Sequence, residues 1–518
     1  MAPHVDFETL KAITAIAEAN PFGHERPELE ADLLGGGLSR DPLHALNTTI
    51  RGEITHHVAV RLRESLDLLT GPIRENPERF DEKKKALYRN GVWFWIYHAH
   101  HADLDRHLDD LDSKPEDDLK ISQKSFDHFR EDIGRYLILS SSKSSLEDPL
   151  CANPKDVADL FAFCFQLRRA VRGVLSRVVG DSESVIRLRC SIWEAIFTRR
   201  LLWSFQYLKD RMSNFSTLIL GPSGTGKDLV AEIIGKSQFI PFNPDTLRFE
   251  INPNRAYRAV NLAALTPTLI ESELFGHLKG AFTGASSDRK GHLELCSPYG
   301  ALFLDEIGDL SPEVQVKLLR VLQSREFYPL GGEKVLRFQG RILSATNRDI
   351  GEIVGNGQMR EDFLYRIGAN VIHVPSLAER FDQRPEEADL LLAHILIKVL
   401  GREDSEVYSD VRERIRRLLL VGYRWPGNVR EFEQCIRSLL ISSDFRPLVT
   451  EKEGDENLDD LYRRMDLGEA KLDEVLKIYC SRIVREEGTY RKAATKLGVD
   501  WRTIKKHIGS GKKEGTGR

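Results

Sequence analysis

The run LILGPSGTGKD (218–228) constrains this chain more than any other stretch of it. An apolar segment leads into Gly221, and Gly221 to Lys227 fits G-x-x-x-x-G-K immediately before the helical LVAEIIG. Glycines let backbone N–H groups curl around phosphate oxygens, and the helix start adds positive potential. Lys227 would reach the outer phosphates of a nucleotide. Gly221, Pro222, Ser223, Gly224, Thr225, Gly226, Lys227 and Asp228 are therefore candidate nucleotide-binding residues. Asp228 stands where a Ser or Thr that holds magnesium is usual. Downstream, ALFLDEIG reads as a short buried strand ending in Asp305 and Glu306. Acids at the C-terminal end of a central strand lie where α/β sheets bind ligands. Asp305 would hold Mg2+, and Glu306 would orient the attacking water.

Glycine-bounded apolar runs (STLILG, ALFLDEIG, GRILSATN) alternate with helical stretches from about Val179 to Asp444, the texture of a parallel α/β sheet. Residues 1–178 show apolar positions at helical spacing, with breaks at Gly71-Pro72 and Ser113–Glu116, and read as a mostly helical regulatory or sensory domain. No strand–helix alternation around an acidic pocket suggests a phospho-accepting receiver there. The polar stretch 445–466 reads as a linker, and 467–518 as a small helical unit. With 518 residues, 41% hydrophobic and 30% charged, the composition is that of a folded multidomain protein. A net charge of −4 confines any nucleic-acid footprint to a local patch. No apolar run is long enough for a membrane span, and the N-terminus lacks the build of a secretory signal. Six scattered cysteines without C-x-x-C spacing read as reduced thiols, so a cytoplasmic location is expected.

GAFTGA at 280–285 resembles the hallmark of sigma-54-dependent activators, the bacterial enhancer-binding proteins of the AAA+ ATPase superfamily. The resemblance extends, in family order, through ESELFGHLKGAFTGA, ALFLDEIGDLSPEVQVKLLRVLQSREFYPLGG, ATNRD, MREDFLYRI and YRWPGNVREFE, from about Val179 to Ser443. It implies an AAA+ α/β ATPase subdomain over 179–375 and a helical lid over 376–444, with ATP and Mg2+ as ligands. It implies that Asn261 holds the catalytic glutamate inactive until the partner engages, although Leu262 stands where the family usually has Cys. It makes Thr346 and Asn347 the sensor of the γ-phosphate and Arg430 a second sensor on the lid. Arg360 and Arg366 match arginines supplied to a neighbouring subunit's nucleotide, which implies a ring, as in hexamers. Two stretches, near 199–215 and 237–258, are longer than the family norm.

In the GAFTGA loop, Gly280 and Gly284 permit a tight tip, and Ala281, Phe282, Thr283 and Ala285 complete the implied contact with sigma-54 RNA polymerase. An exposed Phe between glycines adds sticky surface, which a bland loop avoids. YPLGGEKVLRF (328–338) resembles a second loop supporting the first. The C-terminal KAATKLGVDWRTIKKHI resembles a Fis-type helix-turn-helix. Thr489 and Asp500 are placed to cap its helices and Gly498 to make the turn. Ala493, Ala494, Leu497, Val499 and Ile504 would pack between them, and Trp501 reads as packing rather than base contact. Residues 488–518 carry nine Lys/Arg against two Asp/Glu, a local charge of +7. Arg502, Thr503, Lys505 and Lys506 would meet double-stranded DNA at an upstream activator site.

The function implied is ATP-driven remodelling of the closed sigma-54 RNA polymerase promoter complex to the open form. A DNA-binding regulator with a degenerate ATPase at other promoters is the first rival, and a general AAA+ unfoldase or helicase the second. Two features remain outside this reading. WFWIY (93–97) reads as core. His98, His100, His101 and His107 with Asp103 and Asp105 form a cluster whose His98–His101 and Asp103–His107 spacings could share a helix face, as a polar surface or a metal site.

Overall fold

The computed structural model describes residues 3–34, 48–115, 117, 119–420, 423–442, 465, 471–487 and 489–509. They fall in two compact units, Met1–Leu440 and Ile441–Arg518. The expected linker at 445–466 lies, but for Met465, outside the described residues.

The larger unit is built on a five-stranded sheet: β1 (Thr217–Leu220), β2 (Tyr257–Asn261), β3 (Ala301–Asp305), β4 (Arg341–Thr346) and β5 (Asn370–His373). The strand order is β5-β1-β4-β3-β2, and every pairing is parallel. The central strands read as continuous apolar runs because both faces are covered, one by Val230, Ala231, Ile233 and Ile234 of the Lys227–Lys236 helix. Leu220 lies opposite Thr346, and Asn261 opposite Asp305, so the C-terminal ends of these strands line one edge of the sheet. The helices Leu377–Gln383, Glu387–Leu400, Ser405–Leu420 and Asn428–Ile441 follow as the lid.

The helices of residues 1–178 are not set apart from this sheet. One apolar core runs from Phe7 to Val374 and takes in both regions. The two lengthened stretches explain the union. In 237–258, the antiparallel strands Phe242–Asn243 and Arg248–Phe249 place two rings beside Phe161, at 4.7 and 6.5 Å between centroids. Asn252 Nδ2 donates to the carbonyls of Pro115 and Asp117 at 3.1 and 2.8 Å. Arg169 donates to the Pro253 carbonyl at 3.0 Å. From the other stretch, Phe205 stacks on Phe163 at 4.4 Å and meets Trp93 edge-on at 5.0 Å. The extra residues are a dock for the helical region. WFWIY is core as expected, with Trp93, Phe94, Trp95 and Ile96 buried. The break expected at Gly71-Pro72 is absent: the helix Thr48–Glu75 continues through Pro72. Pro72 falls in its last turn, so the hydrogen bond its missing N–H forfeits to the preceding turn is lost only near the helix end. The helix His101–Ser113 does stop at the second expected break.

The lid grips the segment that leads into the sheet. Glu387 is fully buried and pairs with Arg380, which is 7% exposed. The Glu387 carboxylate also accepts the Ser182 N–H at 2.6 Å, and Arg380 donates to the Val179 carbonyl at 2.7 Å. Gly180 has φ +127°, and a Cβ there would lie 2.3 Å from a Glu387 oxygen, so this clasp requires glycine. Removing one partner of a buried ion pair strands the other charge. Glu387→Ala should therefore lower stability by about 3–5 kcal/mol, read as an earlier midpoint in urea unfolding. A midpoint unchanged from the parent protein would refute the clasp.

In the smaller unit, the helices Leu472–Glu487, Tyr490–Leu497 and Trp501–Gly509 enclose Cys480, Ile483, Ala493, Ala494 and Ile504. Thr489 Oγ1 accepts the Lys492 N–H at 3.4 Å, Gly498 turns the chain at φ +66°, and Asp500 Oδ1 accepts the Arg502 N–H at 2.8 Å. One expectation fails here. Val499 is 42% exposed, because it sits in the turn and not on a helix face. Trp501 is 37% exposed, with the Arg502 guanidinium 5.6 Å from its ring. Arg502, Thr503, Lys505 and Lys506 are all exposed, on the helix whose inner side is held by Ile504.

Candidate active site and partner loop

The turn after β1 is held from both sides. Gly221, Gly224 and Gly226 have φ of 155°, 77° and 96°. A Cβ on Gly224 would lie 2.3 Å from the Gly427 carbonyl oxygen, so the lid backbone touches the loop at a position only glycine fits. Asn428 Nδ2 donates to the Ser223 carbonyl at 2.9 Å, while Asn428 Oδ1 accepts the Leu377 N–H at 2.8 Å. The Arg430 N–H donates to the Gly224 carbonyl at 3.3 Å. Thr225 Oγ1 donates to the Pro222 carbonyl at 2.9 Å, and Lys227 Nζ to the carbonyls of Gly221 and Pro222 at 3.0 and 3.1 Å. These are weak local partners for a buried ammonium, and they leave it able to turn toward an anion.

Burial holds the Lys227 pKa below its ordinary value, opposed by the charges of Glu306, Asp305 and Asp228. Burial also raises that of Asp305, opposed by the Glu306 N–H and by Lys227. Glu306 occupies the left-handed region at φ 55°, a conformation that strains a residue with a side chain. Its N–H donates to Asp305 Oδ1 at 3.1 Å, and its Oε2 accepts the Asn347 N–H at 3.2 Å. Asn261 ends β2 beside Asp305, but among the described residues no hydrogen bond joins it to Glu306, whose carboxylate rests on the Asn347 backbone. Thr346 is fully buried and its hydroxyl accepts the Arg348 N–H at 3.1 Å.

Arg360 precedes the short helix Glu361–Ile367 at its N-cap and Arg366 lies in its last turn, both exposed. Arg360 is held by Asp362 through two bonds of 3.0 and 2.8 Å. The Arg366 guanidinium has no ion-pair partner among the described residues. Beside Gly226 and Leu229 lies a cavity of 330 Å3, also walled by Val178, Val179, Leu391 and Ile395. Its walls are mostly apolar, with Arg177, Arg380, His394, Lys398 and Glu433 also lining it. It adjoins the phosphate loop and lies between sheet and lid, a place that suits a flat heteroaromatic base. Sequence reasoning missed it. Its one local signal was the Val178-Val179 pair before Gly180.

The loop at 280–285 is a closed neck with an exposed tip. The Gly280 N–H donates to the Ala285 carbonyl at 2.9 Å, and Ala285 is buried. Gly280 and Gly284 have φ of 82° and 105°. Thr283 is exposed, and Phe282 is 40% exposed with its ring edge-on to His277 at 5.0 Å. The second loop supports it: the Leu278 N–H donates to the Leu330 carbonyl at 3.0 Å, and a Cβ on Gly331 would lie 2.9 Å from that of Ala281.

A family model described as Sigma-54 interaction domain matches residues 204–373, and one described as AAA+ ATPase lid domain matches 382–453. The chain carries the sigma-54 interaction domain and the AAA+ lid found in sigma-54-dependent activators. The Nif-specific regulatory protein of Azotobacter vinelandii is 42% identical over 283 residues, which are 54% of this chain and 48% of that protein. The transcriptional regulatory protein GlrR of Escherichia coli is 36% identical over 312 residues, 58% of this chain and 65% of GlrR. The chain thus spans about half to two thirds of the length of these relatives. A crystal structure of NtrX from Brucella abortus in complex with ATP aligns over 75% of this chain and 85% of that one at 21% identity, with a TM-score of 0.42. The sigma-54 interaction domain contains the phosphate loop, the acidic pair and the GAFTGA loop together. Among the described residues no helix is long and apolar enough to cross a membrane. All six cysteines are free, as expected.

Of the histidine cluster, the two spacings do not converge. His98 faces Phe94 at 4.4 Å, His101 Nδ1 lies 2.6 Å from the His98 carbonyl, and His107 Nε2 lies 3.1 Å from Ser125 Oγ.

Proposed function

We propose that this chain binds upstream DNA and uses ATP hydrolysis to remodel a closed sigma-54 RNA polymerase promoter complex to the open form. The observation that carries the proposal is that one sigma-54 interaction domain presents both a lid-held phosphate loop facing an acidic pair and an exposed GAFTGA tip.

The triphosphate would lie along the turn Gly221–Asp228, with its base in the Val178–Val179 cavity and Lys227 turning onto its outer phosphates. Asp305 and Asp228 supply the hard oxygen donors that suit Mg2+, and the raised pKa of Asp305 is the mark of a buried carboxylate lacking a full counter-charge. When bound, the ion would neutralise charge on the phosphates. Glu306 would orient and polarise the attacking water, released from the Asn347 N–H. Thr346 and Asn347 would report the γ-phosphate, and Arg430, whose backbone N–H meets the Gly224 carbonyl, would carry that report to the lid. Asn261 stays a candidate restraint on Glu306 in another nucleotide state.

Arg360 and Arg366 point out from the domain and would complete a neighbour's site in a ring, as in a hexamer. A subunit carrying Arg366→Ala mixed with one carrying Glu306→Ala should regain ATPase activity that neither has alone, because some interfaces then pair an intact arginine with an intact glutamate. Mixed rings without recovery would remove the assignment in trans. In the smaller unit, the exposed Arg502, Thr503, Lys505 and Lys506 support docking of their helix in the major groove.

The deciding experiment is open-complex formation on a sigma-54 promoter with purified polymerase. ATP should support it, and a non-hydrolysable analogue should not. Equal open-complex formation with both, or none with either while a housekeeping promoter responds, would favour a DNA-binding regulator without a working motor.

A further inference from the structure

We propose that His100, His128 and Asp132 form a binding site for a first-row divalent metal ion, of the kind represented by Zn2+, in the helical region. His100 sits at the corner between the helices Glu82–Ala99 and His101–Ser113, and its residue is 3% exposed. His128 and Asp132 are four residues apart on the helix Gln123–Tyr136, and so share one face. Asp132 is 6% exposed.

The three side chains converge on a common point. Asp132 Oδ2 lies 3.1 Å from His100 Nε2 and 3.6 Å from His128 Nε2. All three ligand atoms lie within 4.8 Å of one another. An ion about 2.0–2.1 Å from nitrogen and oxygen ligands in tetrahedral geometry sets them about 3.3 Å apart. The two measured edges straddle that value, so a small ring rotation would admit the ion. A lone His–Asp hydrogen bond explains the first distance but not a second imidazole nitrogen aimed at the same carboxylate oxygen.

The surroundings match what such ions require. Asp103 Oδ2 lies 4.0 Å from His100 Nδ1, on the side where a metal-bound imidazole gains a carboxylate partner. Arg135 lies 3.5 Å from the other Asp132 oxygen, Oδ1, and leaves Oδ2 to the ion. Phe129, its ring 5.1 Å from that of His100, makes one wall apolar. The His128 side chain is 61% exposed, which gives the ion an entry path and leaves a coordination position toward solvent. Two imidazoles and one carboxylate with an open position are a borderline N/O set, suited to Zn2+ or Fe2+ rather than to Mg2+ or Ca2+. The ion would tie the helix Gln123–Tyr136 to the His100 corner.

The test uses the full chain stripped with chelator and titrated with Zn2+ against a chromophoric competitor, with Co2+ as the spectroscopic probe. One equivalent should bind and raise the unfolding temperature, and Co2+ should show ligand-field bands without thiolate charge transfer. His128→Ala, at an exposed position that folding does not need, should weaken Zn2+ at least about tenfold, and Asp132→Asn likewise. His101→Ala, an exposed neighbour outside the set, should bind as the parent does. Absence of stoichiometric binding, thiolate bands from the cysteines, or unchanged affinity in a folded His128→Ala protein would overturn the site.

Discussion

Replacing Glu306 with Gln should leave nucleotide binding in place and slow ATP hydrolysis by about 10²–10⁴-fold, the usual contribution of a positioned general base. The geometry separates the two functions. In the proposed reading, binding rests on the glycine turn, Lys227 and the cavity beside Val178, none of which is hydrogen-bonded to the Glu306 carboxylate. That carboxylate is held by the Asn347 N–H, just past the end of β4, within the proposed γ-phosphate sensor. The backbone at φ 55° is a strained conformation kept at the end of β3, next to the carboxylate assigned to the metal. Gln keeps the shape and one acceptor oxygen for the Asn347 N–H, and removes the negative charge and the basicity. Single-turnover hydrolysis and equilibrium binding of a fluorescent ATP analogue check the two halves. A Gln variant that turns over like the parent would remove Glu306 from the chemistry, and one that no longer binds would show that the strained turn serves the pocket instead.

Local signals made much of this legible in the sequence. The phosphate loop, the acidic pair and the helix-turn-helix are short contiguous motifs whose physics is complete within a few residues. Glycine at Gly224 was readable as a turn residue, although the lid carbonyl that demands it comes from Gly427, some two hundred positions away in the chain. What failed to show was decided by distant partners. The stretches 199–215 and 237–258 looked like disturbances of the family pattern. Phe205, Phe242 and Phe249 reveal them as the surface on which the helical region sits, and only Trp93, Phe161 and Phe163 could have said so. The cavity beside the phosphate loop draws its walls from before β1 and from the lid. The histidine cluster misled because spacing along one segment suggested neighbours, whereas His100 turns to a helix that begins more than twenty residues later. Val499 was assigned to an interface by its apolarity, yet it occupies the turn, where no helix face exists to bury it.

Thr283→Ala should separate the motor from its work: ATPase activity within about a factor of two of the parent, as for exposed substitutions away from structural features, and transcription from a sigma-54 promoter reduced about tenfold or more, a loss of about 1.4 kcal/mol in coupling. Thr283 sits beyond the Gly280–Ala285 neck and is exposed, so its hydroxyl is free to meet a partner. The neck itself is anchored on the second loop through Leu330 and Gly331, and that support does not use the Thr283 side chain. In the proposed mechanism, hydrolysis needs the phosphate loop, the acidic pair and a neighbour's arginines. Work on the polymerase needs a contact whose strength differs between nucleotide states, because a contact equal in both shifts nothing. Phe282 alone supplies apolar area in every state, and its ring is partly taken up by His277. The polar Thr283 is therefore the side chain better placed to make a directional bond that a small loop movement can form or break. ATPase rate, DNA binding by the 471–509 region and open-complex yield would be measured on one preparation. Full transcription by the variant would show that the tip is not the coupling element. Loss of ATPase activity as well would show that the tip belongs to the ring interface rather than to the polymerase contact.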